Sequence, residues 1–277
     1  MKLGLLGYPL GHSFSPKIFS IIFEETGTKG TYSLIEIPQR RLFYYFAIEA
    51  LQNGYDGFNV TIPYKVDAYN LAEARTEAAL RVKNANFIYL KHGKIVADNT
   101  DYYGFSKSLQ RMNLSKAKKA AVIGYGGSAR TVICVLEDLG FENVYVVARN
   151  PEKARKVLAD FITKGKIELL ANPAEFKAEL DLIVNATPAG MYPETDVLPF
   201  GYELINRIQS GGLVYDLIYN PPETKLLTLA RQQGLQIKNG LEMLVFQAVK
   251  SFANISDKKV NEDIVLERIQ LVYGQKG

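Results

Sequence analysis

One cysteine and two histidines are all this 277-residue chain offers of the side chains most used for disulfide, metal and neutral-pH proton chemistry. Cys134 is the sole cysteine, which excludes an internal disulfide and suits a reducing compartment. Ordered clusters of carboxylates and histidines are missing, so no metal is expected. Fixed-period repeats and low-complexity segments are missing too. Met1–Gly7 carries one charge and a very short apolar run, neither a signal peptide nor a membrane span; the expectation is a cytoplasmic protein with no membrane partner. The 33 basic and 29 acidic residues, net +4, include no basic block, which argues against nucleic acid and for an anionic small molecule as partner. The oligomeric state is not legible, and a homodimer stays open.

What is present is ordinary globular material, 47% hydrophobic and 22% charged, at a length that favours two domains. Lys2–Gly7, Thr31–Ile37 and Gly57–Thr61 read as strands, alternating with helical patterns over Pro16–Glu25, Arg40–Asn53 and Tyr64–Glu77. That alternation predicts parallel α/β architecture. Asn86–Leu90 and Lys94–Ala97 flank a tight turn at His92-Gly93. Asp98–Gly104 is a polar run, and a second domain begins after it. There the strands Ala120–Ile123, Val144–Ala148, Asp181–Ala186, Leu213–Leu217 and Leu235–Ile237 accompany a helical pattern through Leu139 and helices Pro151–Thr163 and Glu223–Gln233. Two amphipathic helices, Glu242–Ala253 and Asn261–Tyr273, close the chain. The predicted organisation is an N-terminal, mostly parallel α/β substrate domain over 1–104, a Rossmann-like doubly wound domain over 105–240, and C-terminal helices over 241–277 that pack back on the first domain.

Gly124, Gly126 and Gly127 follow a strand and open a helix whose first turn contains Ser128 and Ala129. A pyrophosphate needs backbone N–H donors, a helix N-terminus and a loop without obstructing side chains, and this segment supplies all three. At the end of the following strand stands Arg149, about 25 residues past Gly124, with no acid beside it. An arginine there favours a ribose 2′-phosphate and hence NADP, with Asn150 and Lys153 close by; the bland alternative is an arginine capping an exposed strand.

Three further segments carry polar chemistry. In Gly7–Pro16, Ser15 is a natural N-cap with Pro16 as first helical residue, and the hydroxyls of Ser13 and Ser15 at a helix start suit a carboxylate. Equally, Ser15 could only cap and Ser13 only meet solvent. Gly57–Lys65 ends a strand where ligands of parallel sheets collect, and Asn99-Thr100-Asp101 follows the hairpin. Taken singly, Lys65 and Asp101 read as solvated loop residues.

These segments occur in one order with Asn185–Met191, Asp216–Pro221 and Gly240–Gln247, and in that arrangement the chain resembles the shikimate dehydrogenase family along almost its whole length. The resemblance implies NADPH-dependent reduction of the ring ketone of 3-dehydroshikimate. It implies that Ser13 and Ser15 bind the substrate carboxylate, that Thr61, Lys65, Asn86, Asp101, Tyr219 and Gln247 surround the ring hydroxyls, that Met191 and Gly240 lie near the nicotinamide with Ile218 beside it, and that Thr187 belongs to the cofactor site. Two departures stand out. Lys83-Asn84 occupies a place where the family commonly has Gly-Ala, and Ala148-Arg149-Asn150 one where it often has Asn-Arg-Thr.

Reducing a ketone also needs a proton at oxygen. His92 falls in the hairpin turn and His12 suits loop packing, so Lys65 oriented by Asp101 is the expected acid/base pair. The rival readings are a quinate/shikimate dehydrogenase with NAD preference and a noncatalytic sensor of a shikimate-like ligand.

Overall fold

The computed structural model describes residues 1–11, 13–112, 114, 117–159 and 166–274. They form two compact units, one of Met1–Gly104 with Leu244–Gly277, the other of Phe105–Met243.

In the first unit β1 (Lys2–Gly7), α1 (Ser15–Thr26), β2 (Thr31–Glu36), α2 (Phe43–Gln52), β3 (Gly57–Val60), α3 (Lys65–Leu71), β4 (Ala74–Arg75), α4 (Glu77–Val82), β5 (Phe87–Lys91) and β6 (Lys94–Asp98) follow one another. The sheet runs β2-β1-β3-β5-β6-β4. β1 is parallel to β2 and β3, while β5 pairs antiparallel with both β3 and β6. His92 and Gly93 both have positive φ, as a two-residue hairpin turn of this twist requires. Phe43, Phe58, Tyr64 and Ile88 pack in one buried cluster on the sheet.

α5 (Thr100–Gln110) leads into the second unit, which contains β7 (Lys119–Ile123), α6 (Gly127–Asp138), β8 (Asn143–Val147), α7 (Pro151–Ala159), β9 (Lys166–Leu170), β10 (Leu180–Asn185), β11 (Ile208–Asp216), α8 (Lys225–Gln232) and β12 (Gln236–Lys238). Its sheet is wholly parallel, in the order β12-β11-β10-β7-β8-β9, with the strand order reversing between β7 and β10. α9 (Leu241–Ala253) and α10 (Glu262–Gly274) end the chain. The central strands β7, β8 and β10 are near-continuous apolar runs, buried along most of their length. Ile123, Ile183, Val214 and Leu227 meet in their own core.

The structure corrects four local expectations. The helix expected over Tyr64–Glu77 stops at Leu71, because Ala72 turns extended and the next residues hydrogen-bond to the sheet: Glu73 N donates to Ile95 O at 2.9 Å, and β4 pairs with β6. A new helix, α4, then starts under a Thr76 cap, whose hydroxyl accepts from Ala79 N. The polar run after the hairpin is the first turn of α5, capped by Asn99 Oδ1, which accepts from Tyr102 N at 3.0 Å. Polar residues there are a capping signal. Ser15 is not the cap of α1 but its first residue, and Ser13 Oγ accepts from Ser15 N at 3.2 Å. β9 adds an edge strand whose residues are too weakly patterned to stand out in the sequence. His12 and the last residues of the predicted Pro151–Thr163 helix lie outside the described residues.

Candidate active site

In the first unit the loops after β1 and β3 abut, with Tyr8 N donating to Ile62 O at 3.0 Å and Thr61 N to Leu6 O at 2.9 Å. Gly7 permits this approach, since a Cβ there would overlap the Thr61 and Leu10 side chains. Thr61 therefore stands one strand away from the loop of Ser13 and Ser15. Ser15 is 4% exposed at the start of α1.

α3 begins at Lys65, α5 carries Asp101 in its first turn, and the two side chains meet: Nζ lies 2.6 Å from Asp101 Oδ2, with 13% and 11% of the side chains exposed. Asp101 Oδ1 accepts from Asn86 Nδ2 at 2.9 Å. Asn86, at the start of β5, also accepts on Oδ1 from Thr100 N at 2.6 Å, which locks it to the beginning of α5. Gln247 of α9 presents Oε1 to Asn86 Nδ2 and to Asn59 Nδ2, each at 3.2 Å. A mostly buried ion pair is costly to desolvate, and breaking it strands a charge. Here each carboxylate oxygen has a donor, so the aspartate is fixed in rotation as well as position. The Lys65 backbone is held too, its carbonyl accepting from Ala85 N at 2.9 Å.

Sequence reasoning missed the supports of this pair. Asn59 donates to Ser251 Oγ at 3.0 Å, Thr100 and Ser251 hydroxyls are 3.0 Å apart, and Asn99 donates to Asn84 Oδ1 at 2.6 Å. Ser251 follows Gln247 by one helical turn, a spacing that could have flagged it. The Lys83-Asn84 departure also gains a physical reading. Lys83 is the left-handed C-cap of α4 at φ 53, a place that suits glycine, and Asn84 is fully buried against the Asn99 cap.

In the second unit Gly124 closes β7 with φ 111, and a Cβ on it would lie 2.9 Å from Thr187 Cγ2. Glycine is needed there for backbone and space alike. Gly126 is different, for its φ is −78 and, its own chain neighbours aside, no atom of the described residues lies within 4 Å of the place a methyl group would take. The protein's own packing does not demand glycine at Gly126, which faces open space at the start of α6, and such a face suits a pyrophosphate. Gly127 and Ser128 form the first turn of α6, while Ala129 is fully buried and packs inward. Arg149 is exposed just past β8, beside the Gly124 turn, whose N–H donates to Val147 O at 2.9 Å. Asn150 Oδ1 caps α7 by accepting from Lys153 N at 2.9 Å. A dinucleotide with a 2′-phosphate fits this donor set.

After β10 and β11 come two turns tied by side chains. Asn185 Oδ1 accepts from Thr187 N and Oγ1 at 3.1 and 2.7 Å. Gly240 N donates to Ile218 O at 3.0 Å, and a Cβ on Gly240 would overlap the Leu217 carbonyl. Ile218 is buried, Tyr219 half-buried and Met191 46% exposed. Of the residues expected around the substrate, Lys65, Asp101, Asn86 and Gln247 form one hydrogen-bonded cluster, Ser13 and Thr61 occupy loops of the same unit with Ser15 opening α1, and Tyr219 belongs to the other unit. Among the described residues there is no cluster of potential metal ligands and no helix long and apolar enough to cross a membrane.

An all-parallel sheet with a glycine turn opening a helix, joined to a second α/β unit holding a braced lysine–aspartate pair, defines the class as a two-domain, Rossmann-like oxidoreductase. Comparison with known proteins narrows the class. Residues 5–88 match the family model "Shikimate dehydrogenase substrate binding domain" and residues 107–193 match "Shikimate / quinate 5-dehydrogenase". The chain is 36% identical to the shikimate dehydrogenase (NADP(+)) of Clostridium perfringens over 98% of its own length and 99% of that relative's. It superimposes with a TM-score of 0.88 on a chorismate mutase/shikimate 5-dehydrogenase fusion protein from Clostridium acetobutylicum, at 35% identity, covering 99% of this chain and 97% of that one. The Thermus thermophilus shikimate 5-dehydrogenase solved with NADP(H) and shikimate gives 0.84 at 27% identity, over 96% and 97%. The chain belongs to the shikimate dehydrogenase family.

Proposed function

We propose that the protein is an NADP-dependent shikimate dehydrogenase, reducing 3-dehydroshikimate to shikimate reversibly on the way to aromatic amino acids. The observation that carries this reading is the Lys65–Asp101 pair, 2.6 Å apart and held from behind by Asn86 and Gln247. Ketone reduction needs a hydride at carbon and a proton at oxygen. Bound NADPH supplies the hydride. Protonated Lys65 gives its proton to the carbonyl oxygen, and in the reverse direction neutral Lys65 takes the proton of the hydroxyl. Asp101 orients the amine, since Asn86 occupies Oδ1 and leaves Oδ2 to Nζ.

Ser13 and Ser15, at the positive end of α1, take the substrate carboxylate. Thr61, Asn86 and Gln247 take ring hydroxyls. Gly124, Gly126, Gly127 and Ser128, with the Ala129 backbone, hold the pyrophosphate; Arg149, Asn150 and Lys153 face the 2′-phosphate; Thr187, Met191, Ile218 and Gly240 surround the nicotinamide. The Cys134 thiol, buried and in no disulfide, is compatible with residence in the cytoplasm.

The test is absorbance at about 340 nm with shikimate or quinate, each offered with NADP+ or NAD+, to follow the reduced nicotinamide. Shikimate with NADP+ should give the steepest of the four slopes. A steeper slope with quinate and NAD+ makes the protein a quinate/shikimate enzyme instead, and four flat traces reject catalysis.

A further inference from the structure

Asp216 ends β11 fully buried, and the proton chemistry at Lys65 gives it no task. Its carboxylate accepts three hydrogen bonds: Oδ1 from Asn185 Nδ2 at 3.0 Å and from Ile218 N at 3.1 Å, and Oδ2 from the Thr224 hydroxyl at 2.7 Å. No cation is among these partners, so a carboxylate is held in the core by neutral donors alone. Burial without a counter-charge is costly. The charge does, however, strengthen each accepted bond.

The three bonds reach into two neighbouring turns. Asn185, once held by Asp216, accepts both the amide and the hydroxyl of Thr187, and its own carbonyl accepts from Leu217 N at 3.0 Å. The Thr187 methyl in turn fills the space beside Gly124. On the other side Ile218, held through its N–H, accepts from Gly240 N at 3.0 Å. One carboxylate thereby joins the turns that bear Gly124, Thr187, Ile218 and Gly240.

We propose that Asp216 is a positioning residue for the dinucleotide: it braces the turns after β10 and β11, so that affinity for NADP+, and not for the shikimate carboxylate and hydroxyls, depends on it. The proposal rests on the NADP reading above. Asp216→Asn keeps an acceptor for Asn185 and Ile218 and can donate to Thr224, whereas Asp216→Ala takes the carboxylate acceptor from all three donors.

The experiment is calorimetric titration of parent, Asp216→Ala and Asp216→Asn with NADP+ and, separately, with shikimate, on protein shown folded by circular dichroism. Loss of these three bonds should raise the NADP+ Kd of Asp216→Ala about tenfold or more, with shikimate Kd within about twofold of the parent. Asp216→Asn should rescue NADP+ affinity to within about threefold, which a loss of mere bulk would not predict. If Asp216→Ala does not fold, Asn185→Ala cuts the same brace at its next link and should raise the NADP+ Kd about tenfold. Parent-like NADP+ affinity in folded Asp216→Ala or Asn185→Ala, or equal losses for both ligands, overturns the proposal. A parent that binds shikimate but no NADP+ overturns the cofactor reading and the proposal together.

Discussion

Replacing Gly126 by alanine separates folding from cofactor binding, because the two make opposite demands on this position. Gly126 caps α6 with φ −78 and ψ −169, a conformation alanine adopts freely, and, its chain neighbours aside, no atom of the described residues stands within 4 Å of the added methyl. Restricting the unfolded chain stabilises by about 0.4–1 kcal/mol where the native conformation is compatible. Alanine is the poorer N-cap and loses about 0.5–1 kcal/mol. The two offset, so unfolding free energy should change by less than about 0.5 kcal/mol. A phosphate approaching the start of α6 meets the methyl instead of an open amide face, and NADP+ affinity should fall about tenfold or more, equivalent to about 1.4 kcal/mol. Urea denaturation measures the first quantity and calorimetry the second. Gly124→Ala is the contrast, since φ 111 and the Thr187 methyl oppose any side chain there; it should lose about 1–3 kcal/mol of stability before binding is considered. An unchanged NADP+ Kd in Gly126→Ala would refute the reasoning, for the glycine would then serve neither packing nor ligand.

Lys65→Ala should lower turnover about 10²–10⁴-fold while NADP+ binding stays nearly intact; comparable turnover in steady-state kinetics removes Lys65 from the acid/base role. Arg149→Gln should raise the KM for NADP+ about tenfold and leave that for NAD+ nearly unchanged, since only the former carries the 2′-phosphate; equal effects would make Arg149 a strand-end residue. Burial pushes the Asp216 carboxyl from 3.8 up to about 6. A raised folded-state pKa means its contribution to stability is complete below 3.8 and is lost as pH rises through 6, so Asp216→Asn should gain on the parent by about 3 kcal/mol between pH about 4 and 7. A pH-independent difference in denaturation midpoints would show that Asp216 is not buried as a titrating acid.

Much of this protein was legible in its residues because the signals are local. The glycine turn of Gly124–Gly127 between a strand and a helix, the arginine at the next strand end and the His92-Gly93 hairpin each depend on neighbours a few positions away. The helix expected across Tyr64–Glu77 failed for the opposite reason. Its apolar spacing is compatible with a helix, but β6, formed some twenty residues later, offers Ala74 and Arg75 sheet partners.

Sequence alone determined the α/β alternation, the nucleotide-binding pattern and the residue types available for proton transfer, since periodicity, turn chemistry and composition are written in consecutive positions. Only the tertiary structure decided that Lys65 reaches Asp101, 36 positions on, that Asn86 meets Gln247, 161 positions on, and that Asp216 ties two turns together. Hydrogen bonds form within about 3 Å whatever the separation along the chain, and it is the packing of strands and helices that brings such partners within reach.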